Sequence, residues 1–266
     1  NQSEPAVTLI EDLHWIDGGS AAFLEQWVEA TAGARGVLLL LNFRPEYHAA
    51  WMQKSYYQQL PLAPLGPEAI RDLLDDLLGR DASLAGLAQA IHARTAGNPF
   101  FTEEIVQSLI ESGHLQGTRG SYRVTTPVEQ LPLPATVQAV LAARIDRLGE
   151  RDKQVLQTAA VIGKEFSEPV LRAVLFPPQG DSPPPSPEEE LAATLHTLIS
   201  AEFIYEQALY PVAEYSFKHP LTQEVALHSQ LGDRRRRTHA AVARALADLH
   251  ADKLDEHAAL LAHHWE

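Results

Sequence analysis

Val7-Thr8-Leu9-Ile10-Glu11-Asp12-Leu13-His14-Trp15-Ile16-Asp17 decides how this chain is read. Ala6 to Ile10 is a short apolar run with β-branched residues, the pattern of a strand buried on both faces. It ends on two adjacent carboxylates, Glu11 and Asp12. Ligands of open α/β sheets bind at the carboxyl ends of strands, so paired acids there are placed for chemistry. The plainer alternative is an acid that caps the next helix. Working outward, Asp17 and Ser20 are candidate N-caps of a helix whose Phe23, Leu24, Trp27 and Val28 form an apolar stripe until Gly33. Val37 to Leu41 is a second wholly apolar strand, and Arg44-Pro45 breaks the pattern after it. Strand, helix and strand in this order predict a right-handed parallel crossover.

Further along, the pattern turns helical. Gln58 to Leu62 is a possible third strand. Pro67 to Leu78, Leu84 to Thr95 and Pro99 to Ser112 read as helices, and Gly117 and Gly120 offer a hairpin turn within Leu115 to Val124. After Leu131 to Pro134 come helices over Ala135 to Leu148, Asp152 to Ile162 and Glu168 to Leu175. Pro177 to Pro187 holds six prolines and reads as a loop. Glu188 to Ser200 is a helix, Phe203 to Glu206 and Ala213 to Phe217 are strands, and Leu221 to Leu227, Arg234 to His250 and His257 to Trp265 are helical. The predicted fold class is α/β, a partial parallel sheet followed by a mostly helical chain. Its expected segments are 1–65 with the sheet, 66–130 as a helical subdomain, 131–217 in winged-helix order with loop 177–187, and 218–266 leading into a helical repeat. Trp265 ends an unfinished pattern, so the chain is expected to be cut there.

Composition bounds the function. With 266 residues, 45% hydrophobic and 21% charged, the chain can bury a sizeable core in two or three subdomains. No apolar run approaches the roughly 20 residues of a bilayer span, and no secretory pattern opens the chain, so a cytoplasmic location without a membrane partner is expected. The lack of cysteine excludes disulfides and thiolate metal sites. A net charge of -14 repels polyanions and argues against nucleic acid as a partner. Arg234 to Arg237 would point in all directions around a helix, a solvated face. Arg144, Arg147, Arg151 and Lys153 are too few and too mixed with acids to read DNA. His257, His263 and His264 raise a metal reading, but adjacent helical residues diverge by about 100° and no carboxylate completes a set, so structural or solvent-facing roles are expected.

Taken together, EDLHWID at Glu11 to Asp17, LLLLNFRPE at Leu38 to Glu46 and RTAGNPFFTEEIVQSL at Arg94 to Leu109 form an ordered set. It continues through Leu133 to Phe166 and YSFKHPLTQEVAL at Tyr215 to Leu227. This set resembles the AAA-like ATPase module of STAND-class signalling P-loop ATPases. Closest in pattern are the modules attached to bacterial class III adenylate and guanylate cyclases and to large transcriptional regulators. The resemblance implies that Ala6 to Ile10 is a Walker B strand and that the cofactors are ATP or ADP with Mg²⁺. Glu11 would take the magnesium-associated position and Asp12 the water-activating one, in the reverse of the more usual order, with one carboxylate for each role. Arg44 would be the sensor of the terminal phosphate. Its alternative is a surface arginine after a strand. Gly97, Asn98 and Pro99 match the motif whose proline packs on adenine; they also read as ordinary punctuation between two helices. His14 and Trp15 are expected to pack beside the sheet.

No GxxxxGK[ST] occurs, and Gly163-Lys164 is followed by Glu165, so the chain is expected to begin after the phosphate loop and to bind ATP weakly by itself. The function implied is a part of an ATP-dependent signalling switch. Its partners would be the nucleotide, an attached output domain (a cyclase or regulator) and a helical-repeat sensor of the tetratricopeptide kind. The competing function is a non-catalytic interaction scaffold with a vestigial nucleotide site.

Overall fold

The computed structural model describes residues 5–34, 36–177 and 187–265. The chain divides into two compact units, Asn1–Ala63 and Pro64–Glu266.

Two apolar strands organise the first unit. β1 (Ala6–Ile10) and β2 (Val37–Leu41) pair in parallel, Ala6 opposite Val37 and Ile10 opposite Leu41, with α1 (Gly18–Thr31) as the crossover. Asp17 caps α1, its side chain accepting from the Gly19 and Ser20 amides. Strand alternation turns Ile10, Leu39 and Leu41 toward Leu13, Leu24, Val28 and Trp51, which form this unit's core. The opposite positions, Val7, Leu9, Leu38 and Leu40, are exposed. Where a strand buried on both faces was expected, the described residues bury one: α1 covers it, and alternation sends every second side chain to the other. Gln58 to Leu62 is not a strand. Pro61 has no N–H to offer a ladder, and Leu60 and Leu62 stand in solvent.

The second unit holds two cores. Its first part contains α2 (Pro67–Leu78), a single 3-10 turn at Ala82–Leu84, α3 (Leu87–Thr95), α4 (Pro99–Glu111) and the hairpin of β3 (Leu115–Gln116) with β4 (Arg123–Val124). Ile70, Leu74, Leu78, Leu87, Ile91, Ile105 and Leu109 fill the space between the helices. The helix expected from Leu84 starts only at Leu87, because Gly86 sits at φ 84 and interrupts it.

The rest of this unit runs through α5 (Val137–Arg147), α6 (Glu150–Ile162), β5 (Glu165–Ser167), α7 (Glu168–Leu175) and α8 (Pro187–Ser200). β6 (Ile204–Ala208), β7 (Glu214–Phe217), α9 (Pro220–His228), α10 (Gly232–Leu249) and α11 (Ala258–Trp265) follow. Pro187 opens α8, and 178–186 of the expected proline-rich loop lie outside the described residues. The strands form one antiparallel sheet in the order β5-β7-β6. Leu156, Phe166, Leu171, Leu198, Phe203, Ile204, Phe217 and Val242 make the second core. α5 belongs to both, with Val140 in the first core and Ile145 in the second. The fold is mixed α/β, mainly helical with small sheets.

Candidate functional site

At the end of β1 the chain turns sharply. Asp12 takes the left-handed conformation (φ 56, ψ 40), which aspartate tolerates better than bulkier residues, and Leu13 to Trp15 close one 3-10 turn that buries Leu13. Asn42, the first residue after β2, holds this turn from across the strand pair. Its N–H donates to the Ile10 carbonyl and its own carbonyl accepts from the Leu13 amide, each at 3.1 Å. Its side-chain Oδ1 accepts from the Asp12 amide at 2.7 Å, and Nδ2 donates to Glu11 Oε1 at 3.4 Å. Glu11, Asp12 and Asn42 are thus one hydrogen-bonded group at the carboxyl end of the parallel pair, with both carboxylates exposed.

Arg44 follows just beyond, exposed and without an ion pair among the described residues. The Tyr47 amide donates to the Arg44 carbonyl at 3.0 Å, turning the chain there. His14 is half-buried and tilted against the Trp15 ring, with centroids 5.2 Å apart. Trp15 itself projects into solvent rather than packing beside the sheet. The Asp17 carboxyl lies below the usual aspartate range because the Ser20 hydroxyl and the Ser20 and Gly19 amides donate to it.

Gly97, Asn98 and Pro99 belong to the second unit. Gly97 has φ +80, and a Cβ there would stand 2.1 Å from the Leu65 carbonyl oxygen. The Leu65 amide donates to the Gly97 carbonyl at 2.8 Å, so two segments of backbone meet where only glycine fits. Asn98 caps α4, its Oδ1 accepting from the Phe101 amide at 2.9 Å, and Pro99 occupies the first helical turn. Helix punctuation is therefore what these residues do in the fold, and it leaves Pro99 exposed. Next to it, the Phe100 ring stacks on His219 with centroids 4.0 Å apart.

Glu11 and Asp12 offer hard oxygen donors. Mg²⁺ takes one or two carboxylates and keeps several waters, so the pair fits that ion as a partial ligand set. Among the described residues no group of three or more histidine, aspartate or glutamate side chains could hold a metal ion.

Asn42 and Arg144 are the residues that sequence reasoning missed. Arg144, weighed only among bases too few and too mixed with acids to read DNA, is fully buried. Its guanidinium donates to Glu104, to Glu111 Oε1 from Nε at 2.9 Å and Nη2 at 2.6 Å, and to the Ala201 carbonyl at 2.6 Å. It also lies 4.5 Å from the centroid of the Phe203 ring. Burial pushes the Glu104 carboxyl up, and the neighbouring Arg144 pulls it down by less. Burial also acts against charge on Arg144, but Glu111 and Glu104 outweigh it and hold the guanidinium charged. The available signal was position: Arg144 stands between Leu141 and Ile145 on the apolar stripe of α5, and Glu104 and Glu111 are two turns apart on α4.

Residues 66–113 match a family described as Domain of unknown function (DUF8739). An uncharacterised protein of Rhizobium meliloti (strain 1021) is 29% identical over 240 residues, covering 88% of this chain and 22% of that protein. Among solved structures, the chain resembles the Signal Transduction ATPase with Numerous Domains (STAND) protein with a tetratricopeptide repeat sensor from Pyrococcus horikoshii. The TM-score is 0.55 at 12% identity, over 91% of this chain and 30% of that one. The chain thus spans less than a third of the length of either relative. At that identity the likeness is one of fold: the mixed, mainly helical architecture described above has its counterpart in a STAND protein.

Proposed function

We propose that this chain is part of an ATP-dependent signalling switch whose nucleotide state controls an attached output domain, a nucleotide cyclase or a transcription regulator. The observation that carries the reading is the exposed Glu11–Asp12 pair, pinned by Asn42 at the carboxyl end of a parallel strand pair. The fold likeness to a STAND protein supports it. In this reading β1 is the Walker B strand of a P-loop core, and the nucleotide is ATP or ADP. Glu11 would hold Mg²⁺, and that ion would supply positive charge against the phosphates when bound. Asp12 orients the attacking water and accepts its proton. Arg44, exposed beyond β2, offers its guanidinium to the charge that develops on the terminal phosphate. Within the second unit, the exposed ring of Pro99, fixed by the Asn98 cap and the Gly97–Leu65 contact, would offer an apolar surface for an adenine. α5 to α8 with β5 to β7 form a winged-helix module that shifts with nucleotide state. α10 and α11 start a helical-repeat sensor, and the protein works in the cytoplasm. Among the described residues no helix is long and apolar enough to cross a membrane.

The test is made on the full-length protein: ATP binding by calorimetry with Mg²⁺, and phosphate release, beside Asp12→Asn and Arg44→Ala. The expected result is binding by the parent protein, with turnover in each variant reduced about 100-fold or more. An intact protein that binds no ATP would sink the switch and leave an interaction scaffold with a vestigial nucleotide site.

A further inference from the structure

Histidines gather along the two helices at the end of the second unit. On the facing sides of α10 and α11, His239 Nδ1 and His264 Nδ1 are 2.9 Å apart, and their ring centroids are 5.2 Å apart. His263 stands edge-on to both, with centroids 5.9 Å from His239 and 5.2 Å from His264. At the other end of the hairpin, His250 and His257 stack at 4.2 Å. His264 is buried and His239 half-buried. A hydrogen bond between two Nδ1 atoms needs one nitrogen protonated and the other bare. The pair tolerates one added proton, because a charged ring still donates to a neutral one. It cannot tolerate a second, which sets donor against donor and charge against charge.

We propose that α10 and α11 form an acid-operated hairpin, in which protonation of the His239–His264 pair releases α11 while the rest of the second unit stays folded. The charged surroundings favour release. Arg235 acts on His239 from α10 and His263 acts on both rings from α11; from α6 only the Ile162 backbone acts, on His264, and in the opposite sense. α10 also packs on α6 and α7, neither of which contributes an ionisable side chain acting on the pair among the described residues. Burial first, then His239 and His263, lowers His264 to about 4, and burial, His263 and Arg235 lower His239. The docked form therefore binds the proton more weakly than the released form. Docking is at full strength above the ordinary imidazole value of 6.5 and weakens as pH falls toward 4. From His264 alone, the ratio of docked to released hairpin should fall about thirtyfold between pH 7.5 and 5.

Hydrogen exchange of the whole chain, followed by mass spectrometry at both pH values and corrected for intrinsic rates, tests this without reference to nucleotide. α11 should lose about thirtyfold of its protection at pH 5 while peptides from α6 and β7 keep theirs, and His264→Gln should remove most of the acid response. Because a change at buried His264 could itself undock α11, His239→Gln provides a second variant, with ring-proton NMR titration of the remaining histidines. Equal α11 protection at the two pH values would overturn the proposal. So would opening of the whole unit together, or an undiminished acid response in His239→Gln.

Discussion

Asn42 shows how much one side chain can hold. Its amide bonds both Glu11 and the backbone of Asp12, so Asn42→Ala leaves the Asp12 N–H without its acceptor while Asp12 is still asked to keep a left-handed backbone. The loss should be about 1 kcal/mol of stability in the first unit, read as a lower urea midpoint with an unchanged slope. If the proposed chemistry holds, turnover by the full-length protein should fall with it. Gly97 fails differently. A methyl group there meets the Leu65 backbone, which cannot swing aside as a side chain would, and φ is positive. Gly97→Ala should cost roughly 2–3 kcal/mol, measured by urea denaturation. Gly97 could be singled out from the sequence because its motif is local. Asn42 could not: an asparagine after a strand is an ordinary loop residue until the parallel register sets it opposite the end of β1.

Elements were legible where their signals are local. Asp17, Pro67, Asn98 and Pro99 announce helix starts through caps and fixed φ, and the apolar stripes of α2 and α4 follow from period. The start of α4 rests on one such signal, so Asn98→Ala should destabilise the unit by about 1 kcal/mol, seen as a fall in thermal midpoint. β5 was not legible, since three residues carry no period and it exists only because β7 pairs with it. Gln58 to Leu62 failed for the opposite reason: a suitable composition finds no partner strand. The histidine hairpin was missed because His239 lies 25 residues from His264 and no spacing rule connects them.

Across the second unit, Arg144 joins α4, α5 and the segment leading into β6, where two apolar cores meet. Arg144→Met would leave Glu104 buried without its cation, at a cost of about 3–5 kcal/mol. Adding Glu104→Gln should recover a large part of that, because it removes the stranded charge. The folded state already holds a proton on Glu104 more readily than the unfolded chain does, so its contribution is fully present below the ordinary glutamate range and is lost as pH rises through the folded value. The Arg144→Met variant should accordingly be less destabilised at pH 5 than at pH 8, by urea unfolding at each.

The face of the strand pair formed by Val7, Leu9, Leu38 and Leu40, exposed within these 266 residues, has a practical consequence for anyone handling them by themselves. Among the described residues nothing pairs with the outer edges of β1 and β2, and an apolar patch between such edges attracts its own kind. Concentrated samples should associate reversibly and brighten a hydrophobic dye, and Leu38→Lys should suppress both in sedimentation and fluorescence. Since Leu38 packs against no core, that gain in solubility should come with thermal stability unchanged.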